Sequence, residues 1–329
     1  MGAHAEYVGP AEPVEQYAGE RAELVREIAA AGALKDPAWR AAFGEVPRHL
    51  FVPYWFRHGP GGYERLWGED PDPRRRERWL KGVYADTALA TRVRDGLLLS
   101  SSSQPSLMAR MLDELEVRDG HRVLEIGAGT GWNAALLSHR VGEERVTTVD
   151  LDPEIAETAR THLARAGFRP TVAVGDGARG CPGRGPYDRI IATCTVPSMP
   201  REWLRQSSPG ARILAPLSTG LIALRVRDAG YAEGRFLSTP AYFVPLRGGT
   251  AAPVPRYTGG LPRSALENDL FRFLLTLSAS SLDPHEALAL WHLEGQPRRE
   301  RFGVTVSAEG QWAWLDEAAG PYAWPLDGR

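Results

Sequence analysis

The stretch VLEIGAGTGWNAALL, Val123 to Leu137, runs from apolar residues into three glycines at alternate positions and then becomes amphipathic. Its first four residues describe a short strand, and Trp132 to His139 carries apolar side chains at helical spacing. Gly127, Gly129 and Gly131 between them permit a tight turn, close backbone approach to a ligand, and free N–H groups at the start of the helix. Taken alone, three glycines are a weak signal.

Outward from this loop the pattern is regular. Upstream, SLMARMLDEL sets Leu107, Met108, Met111, Leu112 and Leu115 on one helical stripe. Downstream come a strand (RVTTVDL), a helix (Pro153 to Ala166), strands at PTVAVGD and YDRIIATC, a short helix near PREWLRQ, and a strand at GARILAPL. Strands alternating with helices predict a parallel sheet covered on both faces, a doubly wound α/β domain. In such a sheet ligands bind at the carboxyl ends of the strands, where strand order reverses. The second strand ends at Asp150, placed to accept hydrogen bonds from a ribose diol, and the third ends in GDG, where Asp176 can accept from an adenine amino group beside Gly177. Either aspartate taken singly could instead cap a helix. Together they outline an adenosine-shaped pocket. The loop is GxGxG preceded by Glu125, with Trp132 where a dinucleotide fingerprint has its last glycine, so the spacing favours S-adenosylmethionine over a nicotinamide cofactor.

The flanks differ from this core. Between Val14 and Ala42 apolar residues recur at helical spacing, interrupted at Gly32 and Pro37, which predicts two short helices. Val46 to Asp95, rich in aromatics, Pro, Gly and Arg, has little clear period and reads as a long ordered cap or loop, with EDPDPRRRERW as a solvated charged segment. After Leu221 the alternation stops. Hairpins are expected near Asp228 to Gly230 and at Glu309-Gly310, with one amphipathic helix over SALENDLFRFLLTLSASS between them. The expected organisation is an N-terminal helical cap, 1–98, the α/β domain, 99–248, and a C-terminal α+β appendage, 249–329.

Bulk properties restrict the partners. The chain has 329 residues, 43% hydrophobic and 24% charged, with a formal net charge of −2, which gives no electrostatic reason to expect nucleic acid or an anionic membrane. No apolar run approaches the roughly 20 residues of a membrane span, and the N-terminus lacks a signal-peptide pattern. Cys181 and Cys194 have no CxxC spacing, so a reducing cytoplasm is expected, without a disulfide framework or zinc knuckle. HEALALWH has Ala289 where a zinc-binding HExxH needs histidine, so no metal site is expected.

In order along the chain, VPRHLFVP, VYADTAL, SSSSQPSLMARML, VLEIGAGTGWNAALL, VDLDPE, GDGARG and YDRIIATC resemble the protein-L-isoaspartate (D-aspartate) O-methyltransferase family over roughly Val46 to Pro216. The glycine and acidic motifs alone would indicate a class I methyltransferase; VPRHLFVP and the Ser-Gln-Pro element are the specific signals. The resemblance implies a Rossmann-like methyltransferase sheet and a cofactor site of Glu125, Gly127, Gly129, Thr130, Gly131, Asp150, Leu151, Asp176 and Gly177. It also implies a carboxylate acceptor. A carboxylate is already ionised at neutral pH, so no general base is needed and the missing catalytic triad is expected. The resemblance gives Ser103 the catalytic role, beside the methyl-accepting carboxylate, with Ser102 and Gln104 also on the substrate side; ignoring the family, Ser103 reads equally as a loop or capping serine. Two features depart from the family: Ser102 stands where an apolar residue is usual, and about eighty C-terminal residues are unmatched. Longer relatives resembling this chain methylate an aspartate in a ribosomal precursor peptide, leading to a succinimide (aspartimide) or isoaspartate. The appendage inclines the reading toward that peptide substrate, with isoaspartate repair of proteins as the alternative, and a non-catalytic S-adenosylmethionine-binding partner protein as a different class. Arg48 and His49 are expected either to contact an acidic substrate or to stabilise the cap. Trp312, Trp314, Tyr322 and Trp324 are expected to pack the appendage onto the sheet, and Cys194 to lie near the pocket as a small apolar residue.

Overall fold

A computed structural model describes residues 17–59, 62–248 and 259–326. The first sixteen residues, which lack a targeting pattern in sequence, and 249–258, assigned to the appendage, lie outside the described residues. The N-terminal segment begins with the two expected helices, α1 (Ala18–Ala30) and α2 (Pro37–Glu45). The segment after α2, expected as a long ordered cap or loop with little clear period, is built of regular elements. Strands β1 (Tyr54–Gly59) and β2 (Gly62–Trp67), helix α3 (Pro73–Val83), and strands β3 (Leu89–Arg94) and β4 (Leu97–Ser102) build a four-stranded antiparallel sheet of order β2-β1-β3-β4. The charged segment expected to be solvated leads into α3, whose first turns are exposed. The Asp72 side chain accepts from the Arg74 N–H, Pro73 fills the first helical position, and Trp79 and Val83, four residues apart, are buried.

The α/β part begins with α4 (Pro105–Glu114), β5 (Val123–Ile126), α5 (Trp132–Val141), β6 (Val146–Asp150), α6 (Pro153–Arg165), β7 (Thr171–Val174), β8 (Tyr187–Ala192), α7 (Arg201–Arg205) and β9 (Ser207–Leu217). β10 (Gly220–Asp228) and β11 (Tyr231–Pro240) form the expected hairpin. The C-terminal part contains α8 (Arg263–Glu267), α9 (Asp269–Leu277), α10 (Pro284–Leu293), β12 (Phe302–Ser307), β13 (Gly310–Leu315) and β14 (Ala323–Pro325). The single helix expected over Ser264 to Ser281 is broken at Asn268, whose side chain accepts from the Leu270 and Phe271 N–H groups and starts α9 anew.

One sheet of ten strands runs through the molecule, in the order β14-β13-β12-β11-β10-β9-β8-β5-β6-β7. β7, β6, β5, β8 and β9 are parallel, and the rest add antiparallel strands beyond β9. β5 is buried along its whole length, as a central parallel strand should be. The C-terminal strands thus continue the α/β sheet rather than standing apart from it. Trp314 and Trp324 are buried within this extension. The chain leaves β5 toward β6 and β7 on one side, then returns to β8 on the other, so the strand order reverses at β5. Among the described residues no helix is long and apolar enough to cross a membrane.

Candidate active site

The crevice at that reversal is a cleft, at the place where an open α/β sheet binds its ligand. Gly127 and Gly129 line it after β5, Asp150 and Leu151 after β6, Gly177 after β7, and Thr193 and Cys194 after β8. Leu99 to Ser101 and Ser103 close it from the cap, and Val244 to Arg247 close it from the segment after β11. Gly127 has φ 95°, and a Cβ there would lie 2.6 Å from Thr193 Oγ1, the hydroxyl that donates to the Gly127 carbonyl at 2.8 Å. A Cβ on Gly177 would meet Ile126 Cγ2 at 2.7 Å. Glycine is therefore required at both places, for a close approach rather than for looseness. Gly131, with φ 86°, does not line the cleft; it starts α5 and faces Ala159 and Leu163 of α6.

Two carboxylates give the site its charge. Glu125 is 1% exposed, and its Oε1 accepts from Asn133 Nδ2 at 2.8 Å. Its Oε2 is buried without a hydrogen-bond partner among the described residues. Burial pushes this carboxyl up to about 7, the Thr148 and Asn133 side chains opposing and the Asp150 charge adding to the shift. A cationic group placed in the adjoining recess, which Glu125 lines with Ser103, Gly127, Gly129 and Thr130, would restore the carboxylate and satisfy Oε2. Asp150 Oδ2 accepts from the Gly129 N–H at 3.3 Å, while Oδ1 accepts from the Asp152 N–H at 3.1 Å and from Arg247 Nη2 at 3.2 Å. Ribose hydroxyls on Asp150 would take the place of Arg247. These features fit an S-adenosyl donor: a buried carboxyl with one unpaired oxygen for an ammonium, an acidic strand end for a ribose, and apolar Leu151, Ile155 and Leu246 for a ring. Asp176 behaves differently. Its Oδ1 accepts from the Ala178 N–H at 2.9 Å, capping a short 3-10 turn, and Gly177 rather than Asp176 lines the cleft.

On the cap side, Ser103 lines both the cleft and the recess, and its hydroxyl makes no hydrogen bond among the described residues. Ser102 and Gln104 are committed elsewhere. Ser102 forms part of the recess wall, but it is buried and its Oγ accepts from Arg48 Nη2 at 3.2 Å. Gln104 Nε2 donates to Asp86 Oδ2 at 3.1 Å, outside the cleft. Arg48 and His49 both sit inside the cap. His49 Nδ1 is 2.7 Å from Tyr84 Oη, and burial lowers its pKa to about 4, so it is neutral at physiological pH. Burial pushes the Cys194 thiol up to about 12, which removes it as a nucleophile. Sequence reasoning missed Thr193 and Val244 to Arg247. The only trace of the latter is FVPL, a short apolar run set between Thr239-Pro240 and Gly248.

The family model described as Protein-L-isoaspartate(D-aspartate) O-methyltransferase (PCMT) matches residues 75–250. The protein-L-isoaspartate O-methyltransferase of Hyperthermus butylicus is 33% identical over 249 residues, 71% of this chain and 91% of that protein. A solved structure titled protein-L-isoaspartate O-methyltransferase superposes with a TM-score of 0.62 at 24% identity, covering 90% of this chain and 100% of its own. A Plasmodium falciparum structure, titled a putative protein-L-isoaspartate O-methyltransferase in complex with S-adenosyl-L-homocysteine, gives a TM-score of 0.51 at 12% identity over 69% of this chain and 98% of its own. With a cleft that fits an S-adenosyl donor and relatives aligned over most of their length, the chain belongs to the protein-L-isoaspartate(D-aspartate) O-methyltransferase family of S-adenosylmethionine-dependent protein carboxyl O-methyltransferases.

Proposed function

We propose that the protein methylates the α-carboxylate of L-isoaspartyl residues in proteins, the repair reading that the sequence left beside aspartyl methylation of a precursor peptide. The observation that carries the carboxylate assignment is the free Ser103 hydroxyl at a cleft whose carboxyl groups, Glu125 and Asp150, are the groups that face the donor. Asp150 is engaged by Gly129, Asp152 and Arg247, and the Cys194 thiol is held protonated. An amine or alcohol acceptor would need a proton removed; an ionised carboxylate does not. When bound, S-adenosylmethionine supplies a methyl group activated by its own sulfonium charge. The protein's part is alignment. Ser103 holds one carboxylate oxygen through its hydroxyl, Glu125 and Asp150 orient the donor, and the cap sheet keeps water from the reacting pair. The ester product is then attacked by the following backbone amide nitrogen, methanol leaves, and a succinimide closes.

The choice between isoaspartate and aspartate rests on the relatives. The C-terminal extension had favoured a dedicated precursor peptide. A structure titled protein-L-isoaspartate O-methyltransferase shares this fold over 90% of the chain, so the extension no longer argues against repair. Two free cysteines fit a reducing cytoplasm.

The test is methyl transfer from labelled S-adenosylmethionine to two matched peptides, one with isoaspartate and one with aspartate, followed by mass spectrometry for the ester and for loss of water. Preference for isoaspartate by roughly two orders of magnitude or more is expected. Rejection of both peptides with the cofactor still bound would overturn repair in favour of a dedicated substrate.

A further inference from the structure

We propose that Arg48 is a positioning residue for methyl transfer, fixing the main chain of Ser103 from inside the cap. The inference rests on Ser103 meeting the acceptor carboxylate. Arg48 lies in the 3-10 turn Arg48–Leu50 and is 1% exposed. Among the described residues it forms no direct ion pair with a carboxylate, so its desolvation is offset by hydrogen bonds and by the charge of Asp86. Burial lowers its pKa to about 9, which leaves it charged at neutral pH.

Its donors join two stretches of chain. Nη1 donates to Val83 O at 2.9 Å and Ala85 O at 3.2 Å; Nη2 donates to Thr87 O at 3.2 Å and Ser103 O at 3.0 Å, and both Nη2 and Nε reach Ser102 Oγ. Its guanidinium also lies 5.0 Å from the ring of Trp132, the first residue after the glycine loop. Asp86, within the same 83–87 loop, accepts from Gln104 Nε2 and from the Ser106 N–H at 2.8 Å. Ser103 is therefore clamped on both sides, by Arg48 at Ser102–Ser103 and by Asp86 at Gln104 and Ser106. The clamp leaves the Ser103 hydroxyl free toward the cleft. A residue needed only as filler would be apolar. Five planar donors suit the task of holding four carbonyls from two stretches of chain in one arrangement.

The experiment is a double-mutant cycle on kcat, using wild type, Ser103→Ala, Arg48→Lys and the double variant with isoaspartyl peptide. S-adenosylhomocysteine affinity and melting temperature are measured alongside. Arg48→Lys is expected to lower kcat by roughly 10- to 100-fold, with S-adenosylhomocysteine affinity changed by less than about 3-fold. In the Ser103→Ala background the same change should lower kcat by no more than about 3-fold, since the group it positions is gone. Full multiplication of the two effects, or an unchanged kcat for Arg48→Lys, would overturn the proposal. An unchanged kcat for Ser103→Ala alone would instead overturn the reading of Ser103, and the proposal with it. If Arg48→Lys does not fold, Ser102→Ala takes its place in the cycle, because it removes one acceptor of Arg48 without changing charge; the same non-additivity is expected.

Discussion

Glu125 was legible as a site residue from its place before the glycine loop, but its titration was not, because that depends on burial that no pattern reports. Its folded-state pKa, about 7, lies above the ordinary value of 4.5. Between these two values the folded protein holds a proton that the unfolded chain has released, so stability falls as pH rises through that window. The full difference is on the order of 3 kcal/mol. Glu125→Gln removes the titration while keeping the shape. The ligand-free variant should melt higher than wild type at pH 8, with the gap closing toward pH 5, and it should bind S-adenosylmethionine more weakly. Parallel melting curves across that range would show that the carboxyl ionises freely in the fold. Asp150 makes the complementary case. Asp150→Ala should weaken cofactor binding by about 1–3 kcal/mol through lost hydrogen bonds, measured by calorimetric titration; an unchanged affinity would move the ribose elsewhere. Asp176 shows the limit of motif reasoning, since the same GDG supports a ligand contact and a helix cap, and the structure displays the cap.

Among the elements, the parallel strands and their helices could be read because short strand-like stretches alternate with segments of helical period. Four helices also begin at Asp-Pro pairs, at Asp36, Asp72, Asp152 and Asp283, each aspartate accepting from N–H groups of the first turn. The cap sheet could not be read, because β1 and β2 are short and half exposed and are joined by pairs rather than by alternation. Arg57 meets Glu64 at 2.6 Å, and Arg65 lies 4.3 Å from the Tyr54 ring. Such contacts exist only once the strands face each other. The cap on α3 was present in the sequence, masked by the density of charge after it. Asp72→Ala should accordingly cost about 1 kcal/mol, read as a lower denaturant midpoint; no change would mean that Trp79 and Val83 hold α3 unaided. In the extension, Gly234 of β11 faces β10 so closely that a Cβ would collide with the carbonyl of Ala223. Gly234→Ala should therefore force the hairpin apart and lower the melting temperature far more than Asp72→Ala.

For the molecule as a whole, the question is whether the chain beyond Gly248 is separable. Phe271, Phe273, Leu274, Phe302 and Trp324 share one buried cluster with Ile190, Trp203 and Ile213 of the parallel sheet and its α7 helix. Phe273 alone meets Phe236 at 4.8 Å and Phe302 at 5.3 Å. The extension also reaches toward the site. Buried Gln311 of β13 accepts from the Met199 N–H and donates to the Met199 carbonyl, both at 2.8 Å, and so pins the connection that leaves β8 past Thr193 and Cys194. Truncation after Gly248 would strip the apolar cover from β9 and β10 and leave β11 as an unpaired edge, open to pairing with other chains. The truncated protein should therefore aggregate or lose cooperative unfolding rather than emerge as a smaller enzyme. Gln311→Leu in the full chain separates the two contributions, since it keeps the volume and removes the pin. It should leave a cooperative melt but lower methyl transfer, because the loop beside the cleft loses its anchor. A truncated chain that melts cooperatively and retains full activity would show that the parallel sheet is self-sufficient and that the ten-stranded continuity has no part in building the site.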